Sequence, residues 1–156
     1  MYLSVRGKDR KTYKTEGKFL FGFQIFGRKA SYCIILCPRK MIAIESEERP
    51  WGRFFVLHDE PTYKLKRIEV DPGGRLSYQY HLKRSEAWTL VEGSGSITLD
   101  GNTQEYKVGQ TILIPQGVKH RIENKGAEKI VFIEVQTGDY FGEDDIVRIE
   151  DDYNRA

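Results

Sequence analysis

The sequence predicts an all-β fold, a sandwich or a barrel, and three observations carry that prediction. From Trp51 onward, turn signals recur about every eight to twelve residues; the stretches between them alternate apolar with polar side chains; and the 3.6-residue period of an amphipathic helix is almost absent. Fifteen glycines among 156 residues supply the punctuation, and 39% hydrophobic with 12% aromatic residues suffice for one globular core.

The elements follow in order. Phe54–Leu57 is continuously apolar, and Tyr63–Val70 alternates as a strand with one buried face does. Asp71-Pro72-Gly73-Gly74 is a turn. Leu76–His81, Ala87–Val91 and Ser96–Leu99 come next, the last running into Asp100-Gly101, a pair that suits a tight hairpin because both positions tolerate positive φ. Thr111–Ile114, His120–Glu123 and Ile130–Val135 complete the series, and the acidic tail Gly142–Asp152 is expected to form a short helix or an ordered flap.

Composition changes near residue 40. Residues 1–40 hold ten Lys/Arg against Asp9 and Glu16, a balance of +8, so the formal total of +2 leaves −6 for the remainder. An acidic body offers phosphate backbones no general attraction, which excludes nucleic acid as its partner. Both cysteines, Cys33 and Cys37, lie in the basic head; one Cys-x-x-x-Cys pair is no disulfide framework and fits a reducing, cytoplasmic setting. Arg28 and Lys29 interrupt the apolar stretch Phe19–Cys37, and the basic region before it is too long for a secretory signal, so neither a membrane span nor export is expected. Residues 1–40 thus read as an accessory extension, with strands at Phe19–Phe26 and Tyr32–Leu36, or as a start placed upstream of Met41. Residues 41–156 read as the metal-binding domain.

The metal expectation comes from two segments. In Gln79-Tyr80-His81 the outer residues stand two apart, so in a strand both face one side, and Glu86 follows a linker short enough for a turn. In Pro115-Gln116-Gly117-Val118-Lys119-His120, His120 follows a Pro-x-Gly bend and approaches from a separate strand. Gln79, His81, Glu86 and His120 would offer a carboxamide oxygen, two imidazoles and a carboxylate. That mixture suits a divalent ion, zinc first, with Mn²⁺, Co²⁺ or Fe²⁺ as alternatives. The third histidine, His58, sits in His58-Asp59-Glu60-Pro61, reads as a surface turn residue and receives no role. Trp51 and Trp88 read as packing residues rather than sugar platforms.

These segments resemble the cupin double motif, Gly-x5-His-x-His-x3,4-Glu-x6-Gly and Gly-x5-Pro-x-Gly-x2-His-x3-Asn. The second is matched throughout, from Gly109 through Pro115, Gly117 and His120 to Asn124. The first departs by Gln79 in place of a histidine and, counted from Gly74, by one residue fewer before it. The resemblance implies the cupin double-stranded β-helix, a jelly-roll barrel. A narrower resemblance spans roughly Arg49 to Arg155. Arg49-Pro50-Trp51-Gly52, Lys64-Leu65-Lys66-Arg67-Ile68 and the run from Glu134-Val135-Gln136-Thr137-Gly138-Asp139-Tyr140-Phe141-Gly142 to Arg148 are similar to the cupin domain of type II phosphomannose isomerases. In that family Gln-x-His is the usual form, so Gln79 agrees with it. Leu82, Lys83 and Ala87 stand where the family commonly carries histidines.

The resemblance implies a metal-dependent mannose-6-phosphate isomerase acting in GDP-mannose and polysaccharide supply. It places Gln79, His81, Glu86 and His120 on the metal and Arg84 in phosphate anchoring or proton transfer. Lys83 and Lys119, which flank the ligands, would serve as base or phosphate contact; Arg148 and the run Glu143-Asp144-Asp145 are weaker candidates. A homodimer is expected, with a sugar phosphate as substrate. The alternative is a non-catalytic metal cupin that binds a sugar phosphate or sugar nucleotide beside a separate guanylyltransferase, which the three missing histidines would favour. A cupin oxygenase is a third possibility that Gln79 argues against.

Overall fold

The computed structural model describes residues 43–154 and, before them, the strand backbones at 12–15, 18–25 and 28–34. The chain divides into two units, Met1–Met41 and Ile42–Ala156. In the first, β1 (Thr12–Thr15), β2 (Lys18–Ile25) and β3 (Arg28–Ile34) form an antiparallel three-stranded sheet in the order β1-β2-β3. Two strands were expected there and three are found; Phe26, Ile35, Leu36, Cys37 and Met41 lie outside the described residues.

The second unit is built by alternation. Strands β4 (Glu45–Arg49), β5 (Gly52–Glu60), β6 (Tyr63–Val70), β7 (Tyr78–His81), β8 (Arg84–Glu92), β9 (Ser94–Leu99) and β10 (Asn102–Lys107) come first. Then follow β11 (Thr111–Ile114), β12 (His120–Glu123), β13 (Ile130–Gly138) and β14 (Ile146–Glu150). They make two antiparallel sheets, one ordered β11-β8-β13-β6-β5-β4 and the other β10-β9-β12-β7-β14. The paired sheets and their jelly-roll connections are the expected all-β cupin architecture. Along β8, every second residue from Arg84 to Leu90 is buried, the period-2 signature of a strand with one face inside. Among the described residues no helix is long and apolar enough to cross a membrane.

Three strands of the second unit, β4, β10 and β14, were not expected from the sequence. β4 and β10 carry almost only charged and polar residues, so they show no inner face, and each is held at a sheet edge by one neighbour. β10 is the second arm of the Asp100-Gly101 hairpin, both of whose turn residues have positive φ (44° and 82°). The tail is corrected from helix to strand: after a single 3-10 turn at Glu143–Asp145, the β-branched run Ile146-Val147 pairs with β7 as β14.

The interior changes character along its length. Trp88, Leu90, Phe132, Ile130, Ile122, Ile68 and Val70 pack one end, where Trp88 and Phe132 approach to 4.8 Å between ring centres. At the other end the inward positions of the same strands are polar: Arg84 and Glu86 on β8, Glu134 and Gln136 on β13, Lys66 on β6 and His120 on β12. The apolar end drives folding through burial; the polar end is where chemistry is concentrated. The strand pair β5–β6 closes tightly because Gly52, with φ 141°, sits where a Cβ would lie 2.1 Å from the Glu69 carbonyl oxygen.

On the opposite face of β6, Glu69 is 3% exposed and accepts from Arg53 Nε and Lys129 Nζ, each at 2.8 Å, and from Arg67. Burial works against its charge, but the three cations outweigh it and draw the carboxyl down to about 2. A depressed folded pKa stabilises the protein above the ordinary carboxylate range and loses that contribution as pH falls toward the folded value. Glu69→Gln is therefore expected to cost about 2 kcal/mol at pH 7. Urea unfolding should show the gap between variant and wild type closing as pH is lowered from about 4.5 towards 2.

Candidate metal centre

His81 is the last residue of β7, Glu86 lies two residues into the inward row of β8, and His120 is the first residue of β12. The turn at Leu82–Lys83 folds the chain back so that the carboxylate meets the first histidine. Two backbone N–H groups of that turn, at Leu82 and Lys83, donate to the Asp145 carboxylate at 3.1 and 3.2 Å. The second bend needs Gly117, whose φ of 79° suits glycine; its N–H donates to the His81 carbonyl at 2.8 Å, tying the His120 loop to the first histidine. Asn124, the last residue of the second motif, knots a turn: its amide donates to the Val70 and Glu128 carbonyls and its oxygen accepts from Gly126 N–H.

One ligand atom from each of His81, Glu86 and His120 lies within 4.8 Å of the others, all three residues being buried. His81 Nε2 is 3.1 Å from Glu86 Oε1, and His120 Nε2 is 3.6 Å from Glu86 Oε2. The far side of each ring fixes its tautomer. Nδ1 of His120 faces the Val118 carbonyl at 2.9 Å and Nδ1 of His81 faces the Asp145 carbonyl at 3.4 Å, and a carbonyl can only accept. Both Nδ1 atoms therefore carry a proton, and both Nε2 atoms face the Glu86 carboxylate. Burial, the largest influence, holds the His120 imidazole below its ordinary value and hence neutral, and its buried Nε2 has no hydrogen-bond partner. An unpartnered imidazole nitrogen beside a second imidazole and a buried carboxylate leaves a place for a cation, and the donor set fits a divalent ion.

The carboxylate at the centre is held from all sides. Arg84 Nε donates to Glu86 Oε1 at 3.0 Å, Trp88 Nε1 donates to Oε2 at 3.0 Å, and Gln136 Nε2 donates to Oε1 at 3.2 Å. Burial pushes the Glu86 carboxyl up, but His81, His120 and Arg84 outweigh it and keep it ionised far below the usual range. Gln79, the direct cross-strand partner of His120, lines the same cavity; its Oε1 accepts from Ser77 Oγ at 2.6 Å and retains a second lone pair.

Of the residues expected to act, Arg84 is buried and lines a cavity of about 60 Å³ that reaches Glu86. Lys83 and Lys119 are corrected: both are exposed and neither lines that cavity. Lys83 Nζ lies 4.5 Å from the centre of the Tyr140 ring, and Lys119 N–H donates to Asp100. The reason is geometric, since neighbours in an extended chain point to opposite faces, and Lys119 directly precedes an inward ligand. His58 is exposed as expected, but it lies within β5 rather than in a turn, stacked on Tyr63. Sequence reasoning missed Lys66, Glu134 and Gln136. Their signal was an inward register in β6 and β13 occupied by polar residues, which is rare without a function. Burial, with Glu86 adding to it, raises the Glu134 carboxyl to about 8, so it holds a proton near neutrality while accepting from Gln136 Nε2 at 2.7 Å.

If the cluster holds the ion, His120→Ala and Glu86→Gln should each weaken metal binding by at least about 100-fold, whereas Trp88→Phe, which removes only a supporting donor, should weaken it about tenfold. Elemental analysis and calorimetric titration of the three variants check the order.

Residues 39–151 match the family described as mannose-6-phosphate isomerase C-terminal. The mannose-1-phosphate guanylyltransferase of Escherichia coli is 42% identical over 108 residues, 69% of this chain, and the chain spans only 23% of that relative's length. Among solved structures, a conserved protein with a double-stranded β-helix domain from Klebsiella pneumoniae superposes with a TM-score of 0.56 at 19% identity, covering 62% of this chain and 83% of that one. A sugar phosphate isomerase of the cupin superfamily from Silicibacter pomeroyi gives 0.52 at 20% identity, covering 55% and 58%. The fold, the buried ligand cluster and the family match agree: this chain belongs to the mannose-6-phosphate isomerase C-terminal family and carries its cupin domain.

Proposed function

We propose that the protein is a divalent-metal-dependent aldose–ketose isomerase acting on a sugar phosphate, with mannose 6-phosphate and fructose 6-phosphate as the pair it interconverts in the supply of activated mannose. The observation that supports this most is the convergence of two imidazoles on a buried carboxylate, Glu86, which lines a cavity that also holds Arg49, Lys66 and Arg84. The reaction moves a proton between adjacent carbons through an enediolate, and its barrier is the charge that builds on the carbonyl oxygen. His81, Glu86 and His120, with Gln79 as fourth ligand, would hold a divalent ion, which would supply Lewis-acid stabilisation of that charge.

The chain's own residues do the rest. Arg84 spans Glu86 Oε1 and the Gly142 carbonyl, so its guanidinium is fixed at the cavity wall and adds positive charge beside the reacting oxygens. Glu134 offers the cavity a carboxyl that retains its proton near neutral pH, the property wanted in a group that gives and takes protons there. Burial of this end of the barrel excludes bulk water, which strengthens each of these interactions.

The rival reading, a binding protein without turnover, drew on Leu82, Lys83 and Ala87. Leu82 and Lys83 are exposed on the β7–β8 turn, and Ala87 alternates with the inward pair Glu86 and Trp88, so it belongs to the outer face. Histidines at these three positions would stand outside the cavity, and their replacement leaves its lining unchanged.

A coupled assay with Zn²⁺, Co²⁺ or Mn²⁺ added should detect fructose 6-phosphate formed from mannose 6-phosphate, without oxygen uptake. Arg84→Lys, which keeps the charge but loses the planar fork, should lower kcat about 100-fold with metal retained. Metal-loaded wild-type protein that forms no fructose 6-phosphate with any of the three ions would remove the isomerase assignment.

A further inference from the structure

The cavity contains a charge arrangement that the ligand cluster does not require. Lys66 is buried, with its ammonium 4.8 Å from the centre of the Phe54 ring, and the Arg49 guanidinium lies 5.5 Å from the same ring centre. Both cations line the cavity that reaches Glu86. The residue directly across the sheet from Lys66 is Glu134, which holds its proton and so provides no full counter-charge. The counter-charge comes instead from Glu143, whose Oε1 is 3.1 Å from Lys66 Nζ and whose Oε2 is 3.6 Å from Arg49. Arg49 shares its charge with Glu47 at 2.9 Å as well. Glu143 is no part of the barrel wall: it projects from the 3-10 turn before β14, and its side chain is 48% exposed.

A buried ammonium demands a partner, and most proteins supply one from a fixed position. Here the partner is a half-exposed carboxylate on a turn at the mouth of the cavity. We infer that Arg49 and Lys66 form the subsite for the phosphate monoester of the substrate, and that Glu143 is a built-in stand-in which the phosphate displaces. The inference rests on the sugar-phosphate reading above and names the residues that take the end of the substrate remote from the metal. A phosphate dianion brings three acceptor oxygens and more charge than a carboxylate, so it satisfies an ammonium and a guanidinium at once. The exchange asks little of the fold. Asp145 keeps its bonds to the Leu82 and Lys83 N–H groups and Arg84 keeps the Gly142 carbonyl, so the turn stays while one side chain rotates into solvent.

Equilibrium titration of the metal-loaded full chain by tryptophan fluorescence, to which Trp51 in the cavity wall contributes, tests this with mannose 6-phosphate, inorganic phosphate and mannose. Both phosphate ligands should bind and mannose should bind at least about tenfold more weakly; inorganic phosphate binding as tightly as mannose 6-phosphate would mean a site for the free ion rather than the sugar ester. Glu143→Gln should tighten both phosphate ligands by about tenfold, and Lys66→Met should weaken them by about tenfold, with mannose affinity and metal content unmoved. The inference is overturned if neither phosphate ligand binds the wild type, or if Glu143→Gln leaves their affinities within about twofold. Should Lys66→Met fail to fold, Glu143→Gln decides alone, because the residue lies on an exposed turn. Binding with the expected pattern but without turnover would retire the isomerase reading and keep the subsite; turnover with unchanged phosphate affinities would do the reverse.

Discussion

The polar end of this barrel depends on one ionised carboxylate kept out of water. Glu86 is buried with hydrogen bonds from Arg84, Trp88 and Gln136 and with two imidazoles at ion-pair distance. An anion buried this deeply costs several kcal/mol unless each oxygen is satisfied, and the surrounding donors meet that requirement. Its charge explains its neighbours: it attracts the Arg84 guanidinium, and it pushes Glu134 toward the protonated form. Remove the charge and the cluster has no common centre.

The sheets supply the positions that make this possible. Because β8 alternates strictly, Arg84, Glu86, Trp88 and Leu90 form one inward row that changes from ionic to apolar within a few residues. β13 repeats the change with Gln136 and Glu134 followed by Phe132 and Ile130. The apolar halves pack against each other and fix the register of both strands, and that register holds the polar halves opposite one another, with Gln136 directly across from Glu86. Stability and chemistry are thus allotted to successive residues of the same strands rather than to separate regions.

Much of this was legible in the sequence. Strands β6, β11 and β12 fall where the sequence pattern put them; of the four expected ligands, His81, Glu86 and His120 are buried together, and Gln79 and Glu86 line one cavity. What the sequence hid has two physical causes. Edge strands such as β4 and β10 have no buried face, so they lack the periodic signal on which strand prediction depends. Residues such as Lys66 and Glu134 look like ordinary solvated charges until the sheet register shows them turned inward. Lys83 and Lys119 failed in the opposite sense: closeness along the chain suggested closeness to the ligands, and in an extended backbone the adjacent residue points away.

The bond between the Asp145 carboxylate and the Leu82 amide crosses 63 residues of chain. Asp145 also offers its carbonyl to the first histidine, so the geometry of one wall is completed by residues that follow every core strand from β5 to β13 in the chain. A growing polypeptide can therefore bury most of its apolar interior while the ion-binding pocket is still unfinished. The core strands can thus be in place while the carbonyl that faces His81 Nδ1 is still to come.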